Sequence, residues 1–330
     1  MSEKKDDYKQ KYKEIETIGS GSSSTVSKGK NNKSKKLVSI KKIFFEKQSF
    51  LYQQLDSEQQ KEKFINDCKE EFDNMKKCSK NNINSVECDD EYFISENNDF
   101  IIIMEYCDSN LLKLLQQKKK FEINEIVEIM RQLNKAFKIM RSNNIIHRDL
   151  KLENILIKYN DKEKKSFTVK LADYGFSKKV ESLSKIKLNS HLGTLYYMAP
   201  QILNNENYNY KCDLWSVGII LYQLFFNKFP FTADTESALI TQINDLGKSL
   251  KKTEEKDLDD LIQKLLQKNE ESRLTWEEYF NHQFFKNKYL NLIYITISDN
   301  IEIKIFGKKF VESNKNNIQL INIIEFTIFI

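Results

Sequence analysis

The sequence predicts an α+β protein whose strands concentrate in the first third of the chain and whose helices follow. One observation is an alternating segment from Ile15 to Lys30, interrupted by a Gly-Ser turn, which is typical of a β-hairpin. Another is a segment from Phe121 to Asn143, in which apolar residues recur at the i, i+3, i+4, i+7 spacing of a buried helix. A hydrophobic fraction of 40% in 330 residues is enough for a core.

Composition argues against several other classes of protein. The net charge of +5 is modest, and lysine runs such as 118–120 lack the arginines and aromatics of a nucleic-acid surface. The five cysteines form no C-x-x-C pair, so we expect neither zinc nor a disulfide framework. Residues 1–13 have no apolar signal core, and no apolar run of the chain is long enough to span a membrane. We expect a cytoplasmic protein, with the nucleus left open.

A glycine- and serine-rich turn joins the first two predicted strands. Gly19 to Val26 read Gly-Ser-Gly-Ser-Ser-Ser-Thr-Val. Two glycines let backbone amides approach a phosphate closely, and small serines keep the tip of the turn open. Taken alone, a two-glycine turn is more often a plain hairpin than a phosphate site.

Further strands and a helix are predicted before residue 110. Val38 to Lys41 read as a third strand, in which alternation points Lys41 and Lys42 to opposite faces. Residues 58–77 are polar with apolar residues at helical spacing, which predicts a helix lying on a sheet. Tyr92 to Ser95 and Phe100 to Tyr106 predict two strands joined by a Glu-Asn-Asn-Asp turn.

The most informative stretch is Ile145 to Ile157. β-Branched runs at both ends predict buried strands, and a dense polar set lies between them. This set is His147, Arg148, Asp149, Lys151 and Asn154. A plain core segment would not carry so many polar residues, so we expect these side chains to take part in chemistry.

This stretch resembles the catalytic loop of eukaryotic protein kinases, H-R-D-L-x-x-x-N. The turn at Gly19 resembles their Gly-rich loop, and Val38 to Lys41 resembles their V-A-I-K strand. Asp173-Tyr174-Gly175 stands at the D-F-G position, and Gly193 to Pro200 resembles the substrate-docking segment that ends in A-P. Five of the eight glycines and both prolines fall at positions of kinase motifs: Gly19, Gly21, Gly175, Gly193, Gly218, Pro200 and Pro230.

The resemblance covers roughly residues 12–285 and implies the bilobal protein kinase fold. In that fold a small antiparallel sheet with one major helix forms the N-lobe, and the larger C-lobe is mostly helical. The implied divisions are a polar N-terminal tail (1–11), the N-lobe (12–104), the hinge (105–107), the C-lobe (108–285) and a C-terminal tail of unknown structure (286–330). In the last tail, which contains alternating β-branched segments, a docked helix and an exposed β segment both remain open.

The resemblance implies a catalytic set of Lys41, Glu71, Asp149, Lys151 and Asn154. Asp149 would orient the attacking hydroxyl and accept its proton, and Lys151 would offset the charge of the transferring phosphoryl group. Lys41, fixed by an ion pair with Glu71, would position the phosphates of ATP. We prefer Glu71 to its neighbour because it lies one helical turn before an apolar residue that we expect to face inward.

The cofactors that the resemblance implies are ATP and Mg²⁺. Asn154 and Asp173 would hold the metal. The backbone carbonyl of Glu105 and the backbone amide of Cys107 would bind the adenine base at the hinge. The full set of implied nucleotide-binding residues is Ile18, Gly19, Ser20, Gly21, Ser22, Ser23, Ser24, Val26, Ser39, Lys41, Glu105, Cys107, Leu156 and Asp173.

Four positions depart from the family pattern. Ser24 replaces the third glycine of the loop, Ser39 replaces alanine in the strand, and Tyr174 replaces phenylalanine. Gln201 replaces the glutamate that pairs with an arginine at Arg273. Because breaking a buried ion pair costs roughly 3–5 kcal/mol, of which an amide recovers part, we expect a less stable C-lobe rather than lost chemistry. These departures keep a pseudokinase or nucleotide-binding scaffold as the alternative.

Lys151 and Thr194 resemble serine/threonine kinases and favour alcohol acceptors on protein substrates. Ser190 matches the usual activating phosphosite, to be modified by another kinase or by autophosphorylation, and Arg148 would engage its phosphate. Glu153 precedes Asn154 and could bind a basic residue of the substrate, but a solvated acid is the simpler interpretation. Three short segments resemble the autophagy-initiating and calmodulin-dependent-like groups of serine/threonine kinases, but they do not distinguish these groups: 104–107, 173–176 and 212–218.

Overall fold

A computed structural model of the chain describes residues 8–21, 23–48, 56–174, 178–179, 195–246 and 250–286, and the backbone of four strands between 294 and 322. Among the helices in these described parts, none combines the length and the apolar character that crossing a membrane requires. All five cysteines are buried and carry free thiols.

The N-terminal part is built on a five-stranded antiparallel sheet of order β1-β2-β3-β5-β4. The strands are β1 (Tyr12–Ser20), β2 (Ser24–Asn31), β3 (Leu37–Ile43), β4 (Cys88–Ile94) and β5 (Phe100–Glu105). The last strand stops one residue before its predicted end. β4 begins earlier than predicted because Cys88 pairs with Met104 across a register shift.

Alternation along β5 makes both faces of this sheet apolar. Ile101 and Ile103 belong to a cluster on one face that includes Tyr8 and Tyr12. Ile102 belongs to the main core on the other face. A short helix, α1 (Tyr8–Lys11), therefore packs on the sheet, and packed structure begins inside the predicted N-terminal tail.

The major helix of this part is α3 (Ser57–Ser79), which follows a short α2 (Phe45–Gln48). It begins where the carboxylate of Asp56 accepts hydrogen bonds from the first backbone N–H groups, as an N-cap should. Its buried residues, Phe64, Phe72 and Met75 among them, recur at helical spacing and face the sheet.

Helices dominate the C-terminal part. They are α4 (Leu111–Lys118), α5 (Ile123–Ser142), α6 (Pro200–Leu203), α7 (Lys211–Phe226), α8 (Glu236–Asn244), α9 (Lys256–Leu265), α10 (Trp276–Phe280) and α11 (Gln283–Lys286). α7 is buried on all sides from Lys211 to Leu224, so it forms the centre of this core. α10 and α11 are separate helices, and at the start of α11 the ring of His282 accepts a hydrogen bond from the backbone N–H of Phe284.

Two small sheets hold the predicted catalytic loop. β7 (Ile145–Ile146) pairs with β10 (Lys178–Lys179). β6 (Ser109–Asn110), β8 (Ile155–Tyr159) and β9 (Phe167–Leu171) form a three-stranded sheet. The loop between β7 and β8 contains one turn of 3₁₀ helix at Leu152–Asn154. The loop is thus fixed at both ends, as the apolar runs predicted.

Beyond residue 286 the structure describes an antiparallel meander. Its strands are β11 (Tyr294–Ile297), β12 (Ile301–Phe306), β13 (Lys309–Asn314) and β14 (Asn317–Asn322). Two of these strands, β11 and β12, contain the alternating β-branched segments of the tail.

Candidate active site

The first group of functional side chains surrounds Lys41, on β3. Its Nζ lies 2.6 Å from Oε1 of Glu71 on α3 and 2.8 Å from Oδ1 of Asp173, which follows β9. Alternation places Lys42 on the opposite face, where it lies 3.4 Å from Asp99. Three separate elements therefore bring one cation and two carboxylates together.

The charges in this group stabilise one another. Burial opposes the positive charge of Lys41, but the carboxylates of Asp173 and Glu71 outweigh it and raise the lysine pKa. Burial also opposes the charge of Asp173, yet Lys41 lowers the pKa of that carboxyl to about 2. Asp173 is therefore ionised at neutral pH.

The second group lies in the catalytic loop around Asp149. Lys151 Nζ lies 3.0 and 2.8 Å from the two carboxylate oxygens of Asp149. Asn154 Nδ2 donates to the backbone carbonyl and to Oδ2 of Asp149, each at 2.9 Å. Burial raises the pKa of Asp149, and the nearby Lys151 opposes that rise.

Buried hydrogen bonds connect the two groups. The backbone N–H of Ala172, next to Asp173, donates to the carbonyl of Asn154 at 2.9 Å. The carboxylate of Asp213, on α7, accepts from the backbone N–H groups of His147 and Arg148 at 2.8 Å each. Asp213 therefore fixes the backbone at the start of the catalytic loop.

Backbone strain occurs at both groups. Arg148 and Asp173 each have a φ of 65°, a left-handed conformation that is uncommon for residues other than glycine. Such strain persists where surrounding bonds over-determine the conformation, and it clusters at functional sites. The two residues adjoin the bonds to Asp213 and Asn154 that supply this constraint.

Strand register places the Gly-rich turn near Lys41. Gly19 pairs with Val26 across β1 and β2, and Val26 pairs with Lys41 across β2 and β3. The turn closes with a hydrogen bond from Gly21 N–H to the carbonyl of Ser24 at 2.8 Å. The other predicted members of this turn lie along it, Ile18 and Ser20 on β1 and Ser23 just before β2, while Ser22 lies outside the described residues.

The predicted hinge, residues 105–107, contributes to a small apolar group. Val86, Cys107 and Ala172 make a small buried cluster, against which Met104 and Leu156 pack. Ser39, on β3, pairs with Met104 and is buried. These residues are suited to line a slot for a flat, mostly apolar ring.

Much of the predicted activation segment lies outside the described residues, including Gly175, Ser190, Gly193 and Thr194. Arg148, predicted to bind a phosphate on Ser190, donates from Nη1 to the hydroxyl of Tyr208 at 3.1 Å. Sequence reasoning missed Tyr208, since nothing in its local pattern marks it as a partner of Arg148.

Two of the departures have clear structural settings. Tyr174 is fully buried, and its hydroxyl lies 3.3 Å from the hydroxyl of Ser85. Gln201 bridges Arg273 and a backbone carbonyl: its Oε1 accepts from Nη2 of Arg273 at 3.0 Å, and its Nε2 donates to Lys268 at 2.7 Å. Both polar replacements have hydrogen-bond partners.

Sequence reasoning also missed a set of charges at the hinge. Lys158 on β8 and Lys170 on β9 both form ion pairs with the side chain of Glu105. The one available signal was Lys170, a lysine between Val169 and Leu171 in a strand that reads as buried. A buried lysine requires a charged or polar partner.

The fold and these side chains define a class of protein. A small sheet with one helix packs against a helical body. Between them lie the Lys41–Glu71 ion pair, the carboxylate of Asp173, and Asp149 with its partners Lys151 and Asn154. This arrangement is that of a two-lobed phosphotransferase.

Comparison with known sequences gives the family. The sequence model described as "Protein kinase domain" matches residues 12–285. Serine/threonine-protein kinase ppk11 of Schizosaccharomyces pombe is 30% identical over 283 residues, which are 84% of this chain and 82% of that protein. The chain therefore belongs to the protein kinase family, in its serine/threonine branch.

Two further relatives are longer proteins. Serine/threonine-protein kinase TIO of Arabidopsis thaliana is 32% identical over 278 residues, 83% of this chain and 19% of TIO. Serine/threonine-protein kinase atg1 of Dictyostelium discoideum is 35% identical over 192 residues, 58% of this chain and 27% of atg1. The chain thus spans under a third of the length of these two relatives.

Proposed function

We propose that the chain is an ATP-dependent protein serine/threonine kinase, which transfers the γ-phosphoryl group of Mg-ATP to serine or threonine hydroxyls of protein substrates. The observation that carries this proposal is the contact of Lys41 with both Glu71 and Asp173, at 2.6 and 2.8 Å. These residues come from distant parts of the chain, and phosphoryl transfer needs such groups in place together.

Asp149 is the proposed acceptor for the proton of the attacking hydroxyl. Lys151 and Asn154 fix its carboxylate from two sides, so the oxygens keep one orientation. The raised pKa of Asp149 makes the carboxylate a better proton acceptor than an exposed aspartate. Lys151, already beside it, supplies positive charge where the phosphoryl group passes.

The donor set suits Mg²⁺. Asp173 offers a carboxylate with a pKa of about 2, and Asn154 uses its amide nitrogen for Asp149, which assigns its amide oxygen as the ligand atom. Mg²⁺ prefers such oxygen ligands and commonly takes one or two from the protein, with phosphates and water completing the shell. When bound, the ion neutralises charge on the phosphates of ATP. In the described part of the chain, no group of three acidic, histidine or cysteine side chains could hold a metal alone.

The hinge and turn residues are proposed to hold the nucleotide. The apolar cluster of Val86, Cys107 and Ala172 would receive the base, with backbone groups of Glu105 and Cys107 as its hydrogen-bond partners. Backbone amides of the turn at Gly19 would face the phosphates, as in other Gly-rich loops. ATP affinity is therefore proposed to come mainly from backbone groups and packing.

Regulation and location are proposals of the same kind. We propose activation by phosphorylation at Ser190, by another kinase or by the chain itself, because Arg148 adjoins the catalytic aspartate and can bind a phosphate. A cytoplasmic location fits the buried free thiols, since reduced cysteines are usual there.

The test is phosphate incorporation from labelled Mg-ATP into a generic basic protein. Wild type is expected to label serine and threonine. Asp149→Asn is expected to lose at least about 10³-fold in rate while binding a fluorescent ADP analogue as wild type does. Retained transfer in Asp149→Asn would contradict the assigned role. Nucleotide binding without any transfer by wild type, after treatment with an activating kinase, would favour a pseudokinase.

A further inference from the structure

The side chain of Glu105, the last residue of β5, lies in a buried ionic cluster that phosphoryl transfer does not use. Its Oε1 lies 2.5 Å from Nζ of Lys170, and its Oε2 lies 2.6 Å from Nζ of Lys158. The backbone N–H of Glu87 also donates to Oε1, at 2.9 Å. Only 6% of the Glu105 side chain and 7% of the Lys170 side chain are exposed. We call Glu105, Lys158 and Lys170 the hinge cluster.

The hinge cluster joins two sheets. Glu105 belongs to the five-stranded sheet, whereas Lys158 and Lys170 lie on β8 and β9 of the three-stranded sheet. The same two strands carry groups that the proposed nucleotide site needs. Leu156, on β8, packs at the hinge, and Asp173 follows two residues after β9 ends. Movement of Glu105 relative to these strands would therefore change the shape of the slot.

The hinge is held at both ends. After it, the backbone N–H of Asp108 donates to the carbonyl of Ile157 at 2.9 Å, and Ser109 pairs with the same residue. Before it, the Glu105 carboxylate makes the connection to the same sheet. The direction of the backbone groups between these anchors depends on both. A side chain at 105 can therefore control groups that belong to the main chain.

The hinge cluster depends on charge rather than on shape alone. Burial by itself would raise the pKa of Glu105, but hydrogen bonds from Lys158 and Lys170 outweigh it and lower the pKa. A neutral side chain at 105 would leave two ammonium groups together without the carboxylate between them. An unpaired cation as buried as Lys170 is unfavourable, so the local backbone would shift to separate the two ammonium groups or to solvate them.

We propose that Glu105 is a positioning residue for nucleotide binding, whose carboxylate fixes the hinge backbone against β8 and β9 through Lys158 and Lys170. This inference rests on the proposed ATP-dependent function, but it concerns nucleotide affinity and not the chemical step. Lys170 is the stronger connection because it is buried. Lys158, with 39% of its side chain exposed, is more strongly screened by solvent.

The test uses the full chain with Glu105→Gln, which keeps the side-chain shape and removes the charge. We expect the KM for ATP, and the Kd of a fluorescent ADP analogue, to rise about tenfold, because only part of the cost of breaking a buried pair would be expressed in nucleotide affinity. At saturating ATP, kcat and the KM for a peptide are expected to stay within about twofold of wild type. Lys170→Met should have a similar effect, and Lys158→Met a smaller one.

A matched control is Asp67→Asn, which breaks the exposed ion pair of Lys63 and Asp67 on α3 and should change neither constant. The double variant Glu105→Lys with Lys170→Glu restores opposite charges in that pair but sets an ammonium group beside Lys158 and the backbone N–H of Glu87, so it should recover part of the lost affinity. It also serves as the decisive variant if Glu105→Gln does not fold.

Three outcomes are informative. An unchanged Kd in Glu105→Gln, alongside an active wild type, overturns the role of the hinge cluster and leaves the proposed function standing. A lower melting temperature with unchanged KM for ATP assigns the cluster to stability alone, which also overturns the inference. A wild type that binds no nucleotide overturns the proposed function, and this inference with it.

Discussion

Two buried cations in this kinase domain are stabilised in opposite ways. Lys41, in the small lobe, faces the carboxylates of Glu71 and Asp173. Arg273, in the helical lobe, donates to uncharged oxygens: the carbonyls of Gln267 and Lys211 and the side-chain oxygen of Gln201. Its guanidinium also lies 5.3 Å from the ring centroid of Trp215.

The pKa shifts of the two cations differ in sign because their neighbours differ in charge. Burial works against both charges. At Lys41 the two carboxylates outweigh burial and raise the pKa, whereas at Arg273 burial prevails and lowers the pKa to about 10. Arg273 still remains charged at neutral pH, because even the lowered pKa is well above 7. Its lobe therefore carries a cation whose neighbours supply hydrogen bonds but little opposite charge.

The difference in neighbouring charge agrees with a different role for each cation. Lys41 adjoins the residue proposed to hold Mg²⁺, so its charge takes part in phosphate positioning. Arg273 connects α7, α6 and the segment after α9 through the geometry of its planar donors, for which arginine is better suited than lysine. The first site should therefore fail in activity when altered, and the second should fail in stability.

The largest expected effect is that of Lys41→Met on activity. Loss of an electrostatic group that acts on the phosphates should lower kcat/KM by about 10²–10³-fold. The folded state should lose less, because burial already raises the pKa of Glu71 and this carboxyl can take up a proton. Steady-state kinetics and thermal unfolding together measure the separation. Comparable losses of stability in this variant and in Arg273→Met would contradict the assignment of Lys41 to activity and of Arg273 to stability.

Arg273→Met should have the largest effect on stability. It leaves the carbonyls of Lys211 and Gln267 without their donors in a buried setting, and we expect the free energy of unfolding to fall by about 3–5 kcal/mol. Urea unfolding measures this change. The kcat of the folded fraction, assayed well below the melting temperature, should match wild type. A large loss of kcat in fully folded protein would contradict the assignment of Arg273 to structure.

The sequence was most informative where several functional residues lie within one short motif. Residues 145–157 place Asp149, Lys151 and Asn154 on one loop, so a single motif predicts one cluster. Alternation along β3 distinguishes Lys41 from Lys42 because adjacent strand residues point to opposite faces. Helical spacing likewise favoured Glu71, which the structure places 2.6 Å from Lys41.

Partners that lie far apart in sequence could not be predicted. Two examples are the hydrogen bonds of Arg148 with Tyr208 and of Tyr174 with Ser85. Many other polar residues could have been the partner in either bond. Their choice depends on how strands and loops meet in three dimensions. The hinge cluster is similar, since only the fold brings Lys170 next to Glu105.

The scarcity of glycine also concealed several turns. Within the part of the chain that the structure describes, ten residues other than glycine have positive φ, and five of them are asparagines: Asn81, Asn98, Asn144, Asn205 and Asn227. Asparagine tolerates the left-handed conformation better than most residues. In a chain this rich in asparagine, such positions cannot be recognised from composition alone.

Tyr174 provides an intermediate case, a buried polar group beside Asp173 with neutral partners. Tyr174→Phe removes its hydrogen bond to Ser85, and we expect the free energy of unfolding to fall by about 1 kcal/mol. The KM for ATP should stay near that of wild type, since no charge is lost. Ser85→Ala is the matched variant, and the double variant should lose less than the sum of the two. Strict additivity would show that the hydroxyls do not interact.

A comparably small effect, of opposite sign, is expected from Gln201→Glu, which gives Arg273 the carboxylate that the family usually has there. The new charge pair should stabilise the lobe. The hydrogen bond from Gln201 Nε2 to the carbonyl of Lys268 is lost, however, and a carboxylate oxygen would face that carbonyl instead. We expect a net gain of about 1 kcal/mol, seen as a melting temperature higher by about 2–4 °C. Gln201→Met, which removes both bonds, should lower it. An unchanged melting temperature in Gln201→Glu would mean that the uncharged oxygens already satisfy Arg273, and that the cost assigned to its missing counter-charge is too large.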